Sequence, residues 1–99
     1  MARTRIAPAA QRDLRDIRVY SKAAFGARVA LAYLQGLRTA FSLLSQRPHA
    51  GTSEDDLGEG MRGFSYRSHR IYYRVQDGGV LIVRVLHHAR DVGPPDIRG

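Results

Sequence analysis

The chain has 99 residues, 43% of them hydrophobic, and sixteen Lys and Arg against nine Asp and Glu give a net charge of +7. That length holds one domain, residues 1–99, with a core of moderate depth, and the lack of cysteine excludes disulfide frameworks and thiolate metal sites. The opening MARTRIAPAAQRDLRD lacks the apolar core of a signal peptide and no run is long enough to span a membrane, so a soluble cytoplasmic protein is expected.

TRIA, residues 4–7, is a short strand candidate ended by Pro8, a residue suited to the first position of a helix because its missing N–H costs nothing there. Ala10, Leu14, Ile17 and then Tyr20 or Ser21 recur at helical spacing, predicting an amphipathic helix to about Ala24 with a poor N-cap in Ala7. After Gly26 a second helix is predicted over residues 27–46. Its apolar stripe runs through Val29, Ala30, Tyr33, Leu34, Leu37, Ala40, Phe41 and Leu44, and Pro48 follows its end. The two make a helical hairpin.

The acidic, glycine-bearing stretch RPHAGTSEDDLGEG reads as a solvated connector. Three strands are predicted beyond it, at residues 61–67, 69–76 and 80–87, with DGG (residues 77–79) as a hairpin signal. The order is β-α-α-β-β-β, an α+β fold with the helical hairpin on one face of a small, mainly antiparallel sheet.

The hairpin's register decides which side chains share a face. A three-residue loop at Asp77–Gly79 opposes Gln76 to Val80, Arg74 to Ile82 and Tyr72 to Arg84. One face then carries Tyr72, Arg74, Ile82 and Arg84; the other carries Ile71, Tyr73, Val75, Leu81, Val83 and Val85 as core. A two-residue turn would place Arg84 against the helices as a costly unpaired charge, so the longer loop is preferred.

Charge is unevenly spread. Residues 1–50 hold nine basic side chains and two acids, Asp13 and Asp16, whereas residues 51–99 hold seven of each sign. A basic half implies an anionic partner, nucleic acid or an acidic protein segment, or else a solvated helix surface. Fifteen of the sixteen cations are arginine, whose planar fork favours bidentate contact with carboxylate or phosphate.

Several segments together resemble the RelE/ParE superfamily of small toxins from bacterial toxin–antitoxin pairs, most closely its ParE branch. They are IAPAAQRDLRDI, the tyrosine and glycine at Tyr20 and Gly26, ALAYLQGLRTAFSLLSQRPHAG, GMRGFSYRSHRIYYRV and LIVRVLHHARD, spanning residues 3–92. Arg62 matches the arginine that opens the family's second strand, and Arg84 and His87 match the branch's R-V-L-H. The resemblance implies a β-α-α-β-β-β fold, cytoplasmic location and tight inhibition by a cognate ParD-like antitoxin. It implies either poisoning of DNA gyrase without catalysis, as in the ParE branch, or ribosome-dependent mRNA cleavage, as in the RelE branch. Nucleic acid would be met only through gyrase or the ribosome.

Cleavage of RNA through the ribose hydroxyl needs a base, an acid and cations around the phosphate. RelE-like enzymes are similar in supplying lysines, arginines and a late tyrosine. Here Lys22 is the only lysine and no tyrosine follows Tyr73, which argues against a nuclease; the set left for one is Arg62, Arg84, His87 and His88. Each has a structural reading too: Arg62 as a tie to the acidic loop, Arg84 paired with Asp91 or an antitoxin carboxylate, His87 as a hydrogen-bonded residue at the core's edge. His87 and His88, adjacent on a strand, should point to opposite faces, which disfavours a metal. No cofactor motif appears. Arg62, Tyr72, Arg74 and Arg84 are the expected antitoxin-binding residues.

Overall fold

The computed structural model describes residues 2–98. Its elements are β1 (Arg3–Ile6), α1 (Pro8–Phe25), α2 (Ala27–Gln46), β2 (Thr52–Ser53), β3 (Met61–Tyr66), β4 (His69–Gln76), β5 (Gly79–His87) and a four-residue helix α3 (Pro94–Ile97), with a 3-10 turn at Asp55–Leu57. The sheet has five strands in the order β1-β5-β4-β3-β2. Its first strand is parallel to β5 and the other pairings are antiparallel.

Pro8 opens α1, and Ala7 gives it no side-chain cap. The Ala7 N–H instead extends the ladder from β1, donating to Ile82 O at 2.9 Å. The buried face of α1 runs Ala10, Asp13, Leu14, Ile17, Ser21, so Ser21 rather than Tyr20 completes the stripe. Gly26, at φ 93°, is the single residue between the two helices; that left-handed conformation favours glycine. In α2, Val29 falls outside the buried stripe and Tyr33 is only half-buried.

The helices cover one sheet face. Leu14, Ile17, Leu34, Leu37, Phe41 and Leu44 pack against Ile71, Tyr73, Val80, Ile82 and Val85. The opposite face is not open. There Leu57, Met61, Tyr72, Val83, Leu86 and Ile97 form a second apolar cluster under the 3-10 turn and α3.

The hairpin departs from the three-residue loop. Gln76 faces Gly79, Val75 faces Val80, Arg74 faces Leu81 and Tyr73 faces Ile82, so the turn holds only Asp77 and Gly78. A bulge at the level of Tyr72 and Tyr73 then takes up one residue of β5 and restores the expected pairing of Tyr72 with Arg84. Before the bulge every β5 side chain is turned over. Ile82 joins the helix-side core, Val83 joins the second cluster with Leu81 against it, and Val75 is 44% exposed. Gly79 makes the short turn compatible with β1, because a Cβ there would lie 1.7 Å from Arg3 O.

The acidic stretch is more than a connector. Thr52 and Ser53 pair with Gly63 and Arg62 as an edge strand. Asp55 accepts hydrogen bonds from the Gly60 N–H and the Ser53 hydroxyl, both at 3.0 Å, and Leu57 is buried. The buried Leu57 and the turn-forming Asp55 carboxylate help to hold it on the sheet.

Candidate functional site: the arginine clamps and the histidine row

Past Ile82 the outer edge of β5 has no strand beside it. Asp13 of α1 takes that place: its Oδ2 accepts the Val85 N–H at 2.9 Å. Arg84 donates through Nε to the same oxygen at 2.7 Å and through Nη2 to Oδ1 at 2.8 Å. Its Nη1 donates to Asp96 O. The two side chains are 11% and 10% exposed, so this is a buried, bidentate pair whose carboxylate also accepts a backbone N–H. Hydrogen bonding to Asp13 makes Arg84 more basic than an ordinary arginine. Its partner is neither Asp91 nor a foreign carboxylate, and the counter-ion answers the objection to a two-residue turn.

Arg62 donates through Nη2 to Gly51 O at 2.5 Å and His49 O at 3.3 Å, while its buried Nε has no partner among the described residues. It braces the loop after α2 rather than the acidic run. Tyr73 Oη secures the same loop, donating to Pro48 O at 2.6 Å and accepting from the Gly51 N–H at 3.0 Å. Tyr72 is buried in the second cluster, and burial, followed by the charge of Glu54, raises its phenol pKa. Arg74 donates through Nε to Glu59 O at 3.2 Å and lines a cavity of about 520 Å³ with Asp55, Asp56, Val83 and Ile97. Of the four expected antitoxin-binding residues, Arg74 alone lines an open groove.

Sequence reasoning passed over Arg70, which pairs with Glu54 at 2.9 Å and donates to Ser65 Oγ and Thr52 Oγ1, each at 2.9 Å. It also passed over His69. The Tyr33 hydroxyl and His69 Nδ1 share a hydrogen bond of 2.7 Å, and the His69 ring meets His87 edge-on at 5.4 Å between centroids. His87 in turn stacks on His88 at 4.9 Å. Burial, reinforced by the charges of His87 and His88, holds His69 below the usual histidine pKa. His87 is exposed, and its Nδ1 accepts the Ala89 N–H at 3.1 Å. The stacking corrects the expectation that His87 and His88 diverge: β5 ends at His87, so strand alternation does not reach His88.

The four residues left for a nuclease are therefore dispersed. Arg62 lies opposite Tyr73 and His87 opposite His69, about 13 Å apart along β4 at ordinary strand rise and on different strands. Arg84 is occupied by Asp13. No group of three His, Cys, Asp or Glu side chains that could hold a metal ion occurs among the described residues. Among those residues, too, no helix is long and apolar enough to cross a membrane.

Comparison with known proteins agrees with this architecture. The family described as the ParE toxin of the type II toxin-antitoxin system, parDE, matches residues 4–92. Toxin ParE1 of Mycobacterium tuberculosis H37Rv is 35% identical over 88 residues, covering 88% of this chain and 90% of that protein. Toxin ParE3 of Caulobacter vibrioides is 36% identical over 61 residues, 62% of this chain and 61% of that protein. Among solved structures, a chain of the chromosomal ParDE system of P. aeruginosa superimposes with a TM-score of 0.75 at 20% identity, over 88% of this chain and 96% of that one. A chain of the RelBE2 toxin-antitoxin complex of M. tuberculosis gives 0.61 at 25% identity, over 90% and 93%.

Proposed function

The chain belongs to the ParE toxin family of type II toxin–antitoxin systems, and from that premise we propose that it poisons DNA gyrase without catalysis of its own and is neutralised by a cognate ParD-like antitoxin in the cytoplasm. The observation that carries this reading beyond the family is the commitment of Arg84 to Asp13. Of the two arginines left for a nuclease, Arg84 is tied to a buried carboxylate and Arg62 is spent on loop carbonyls. The purified protein should inhibit gyrase supercoiling and induce the SOS response. Cleaved mRNA on ribosomes beside fully active gyrase would overturn the proposal in favour of the RelE-type reading, which the likeness to a RelBE2 chain supports.

For the antitoxin, Arg74 and the groove it lines are the proposed point of contact; Tyr72, Arg62 and Arg84 are parts of the framework. Arg74→Glu should slow association with an acidic antitoxin, more at low salt than at high. Unchanged association kinetics would move the contact elsewhere.

A further inference from the structure

A recess of about 340 Å³ opens where the turn between α1 and α2 overhangs the starting end of β4 and the finishing end of β5. Its size lies within the range of about 300–1,000 Å³ typical of small-ligand sites. Tyr20 and Phe25, meeting edge to face at 6.5 Å between centroids, wall one side, and Val29 stands opposite on α2. These are among the most exposed large apolar side chains: Tyr20 is 69% and Phe25 63% exposed. Two adjacent solvent-facing aromatics beside a cavity mark a surface that gains by being covered.

The inner end of the recess is polar and holds no arginine, lysine or carboxylate. It is formed by the hydrogen-bonded Tyr33 and His69 and by His87. Burial keeps the Tyr33 phenol protonated and the His69 ring neutral near pH 7. Such a floor offers hydrogen-bond donors and acceptors without the arginine or lysine that would hold a phosphate or carboxylate. A second depression of about 200 Å³ shares Val29 and Tyr33 with the first and adds Tyr66 and Arg67. Arg67 is exposed, lies over the Tyr66 ring at 5.7 Å, and sits at φ 49°, outside the strand. No carboxylate lines either depression.

We propose that the recess takes an unpaired nucleobase, stacked on the Phe25 ring with the Tyr20 ring closing its side and its polar edge toward Tyr33, His69 and His87, while the adjoining phosphate rests on Arg67. An aromatic wall with a polar end free of arginine, lysine and carboxylate matches a heterocyclic base, and the arginine one step away matches the backbone charge. A partner protein's aromatic side chain would fill the same walls but would leave Arg67 and the second depression unused. The base reaches the recess either as a free nucleotide or as part of a single strand.

The test uses the full chain, labelled for NMR of the His69 and His87 imidazoles, titrated with adenosine monophosphate and with a single-stranded oligonucleotide of about ten bases. Shifts with the mononucleotide show that one base with its phosphate suffices, and shifts with the oligonucleotide alone show that further nucleotides of the strand are needed; both support the site. Phe25→Ala and Tyr20→Ala, at exposed positions, should each weaken oligonucleotide binding about tenfold while the fold is kept. Arg67→Asn, chosen because Asn tolerates the left-handed backbone, should lower the salt slope by about one. Equal affinity for duplex, or affinity that depends on salt but not on Phe25, would overturn the proposal. Imidazole shifts produced by purified antitoxin and by no nucleotide would overturn it too, giving the recess to a protein side chain. None of these readouts involves gyrase, so the outcome is separable from the proposed target.

Discussion

One face of the sheet lies under two long helices and is filled by aliphatic side chains and Tyr73; the other is closed by a turn, four residues of helix and the arginines Arg70 and Arg74. On the first face, helical stripes and alternating strands bury apolar surface in bulk, which is how most stability arises. On the second, six apolar residues are ringed by directional bonds from guanidinium groups to carboxylates, hydroxyls and carbonyls. Arg84 lies at the edge where the two meet, tied to α1 through Asp13 and to the C-terminal segment through Asp96 O. The helical face should set global stability, and the other face should come apart piecemeal, with the Asp13–Arg84 pair as the joint between them.

The largest effect is expected at that joint. Asp13→Ala leaves Arg84 buried and unpaired and should cost about 3–5 kcal/mol in urea unfolding, whereas Asp13→Leu combined with Arg84→Met should recover most of it. If the single and the double variant are equally unstable, the pair does not couple the faces. Next comes the contrast between the clusters. Leu37→Ala, at a site with 0% exposure, should cost about 3–5 kcal/mol across the whole transition, within the usual range for such truncations. Ile97→Ala should cost about 2 kcal/mol, at the low end for a residue under a short terminal helix that can settle, and should release amide protection only in the second face. Uniform loss of protection with Ile97→Ala would merge the two regions into one cooperative unit. Glu54→Gln breaks a pair with side chains 24% and 23% exposed and should cost less than about 1 kcal/mol.

The smallest effect is that of pH. His69 binds its proton less readily in the fold than in the unfolded chain, so its contribution to stability is complete above the unfolded pKa of 6.5 and fades as the pH falls below it. His69→Gln should flatten that acid limb; an unchanged slope would assign it to other groups.

The two long helices, their order and the positions of the four longer strands were legible because each rests on a local pattern, as in the Leu34, Leu37, Phe41 and Leu44 stripe, whereas the two-residue β2 and the four-residue α3 are too short to show one. The register was not. A bulge has no local signature in GVLIVRVLH, since every residue there suits a strand whichever way it points. The Arg84 partner was out of reach for a related reason: Asp13 is 71 residues away. Its place on the buried stripe beside Leu14, as one of two acids in a basic half, was the one available hint. Of the candidate site residues, Arg62, Tyr72, Arg74, Arg84 and His87 lie on the expected strands and His88 lies beyond β5, while their partners depended on tertiary contacts. The Tyr33–His69 bond joins residues on α2 and β4 that no spacing rule connects.

The parallel pairing of β1 with β5 orders events in time. Arg3–Ile6 emerges from the ribosome well before the strand it must lie beside, Gly79–His87. Until that strand is made the helical hairpin has no completed sheet to cover and the Asp13 carboxylate lacks Arg84, so this fold stays unfinished until β5 has been synthesised. Interrupted synthesis thus yields fragments with an open sheet and an unpaired Asp13, substrates for proteases rather than working copies of the toxin fold.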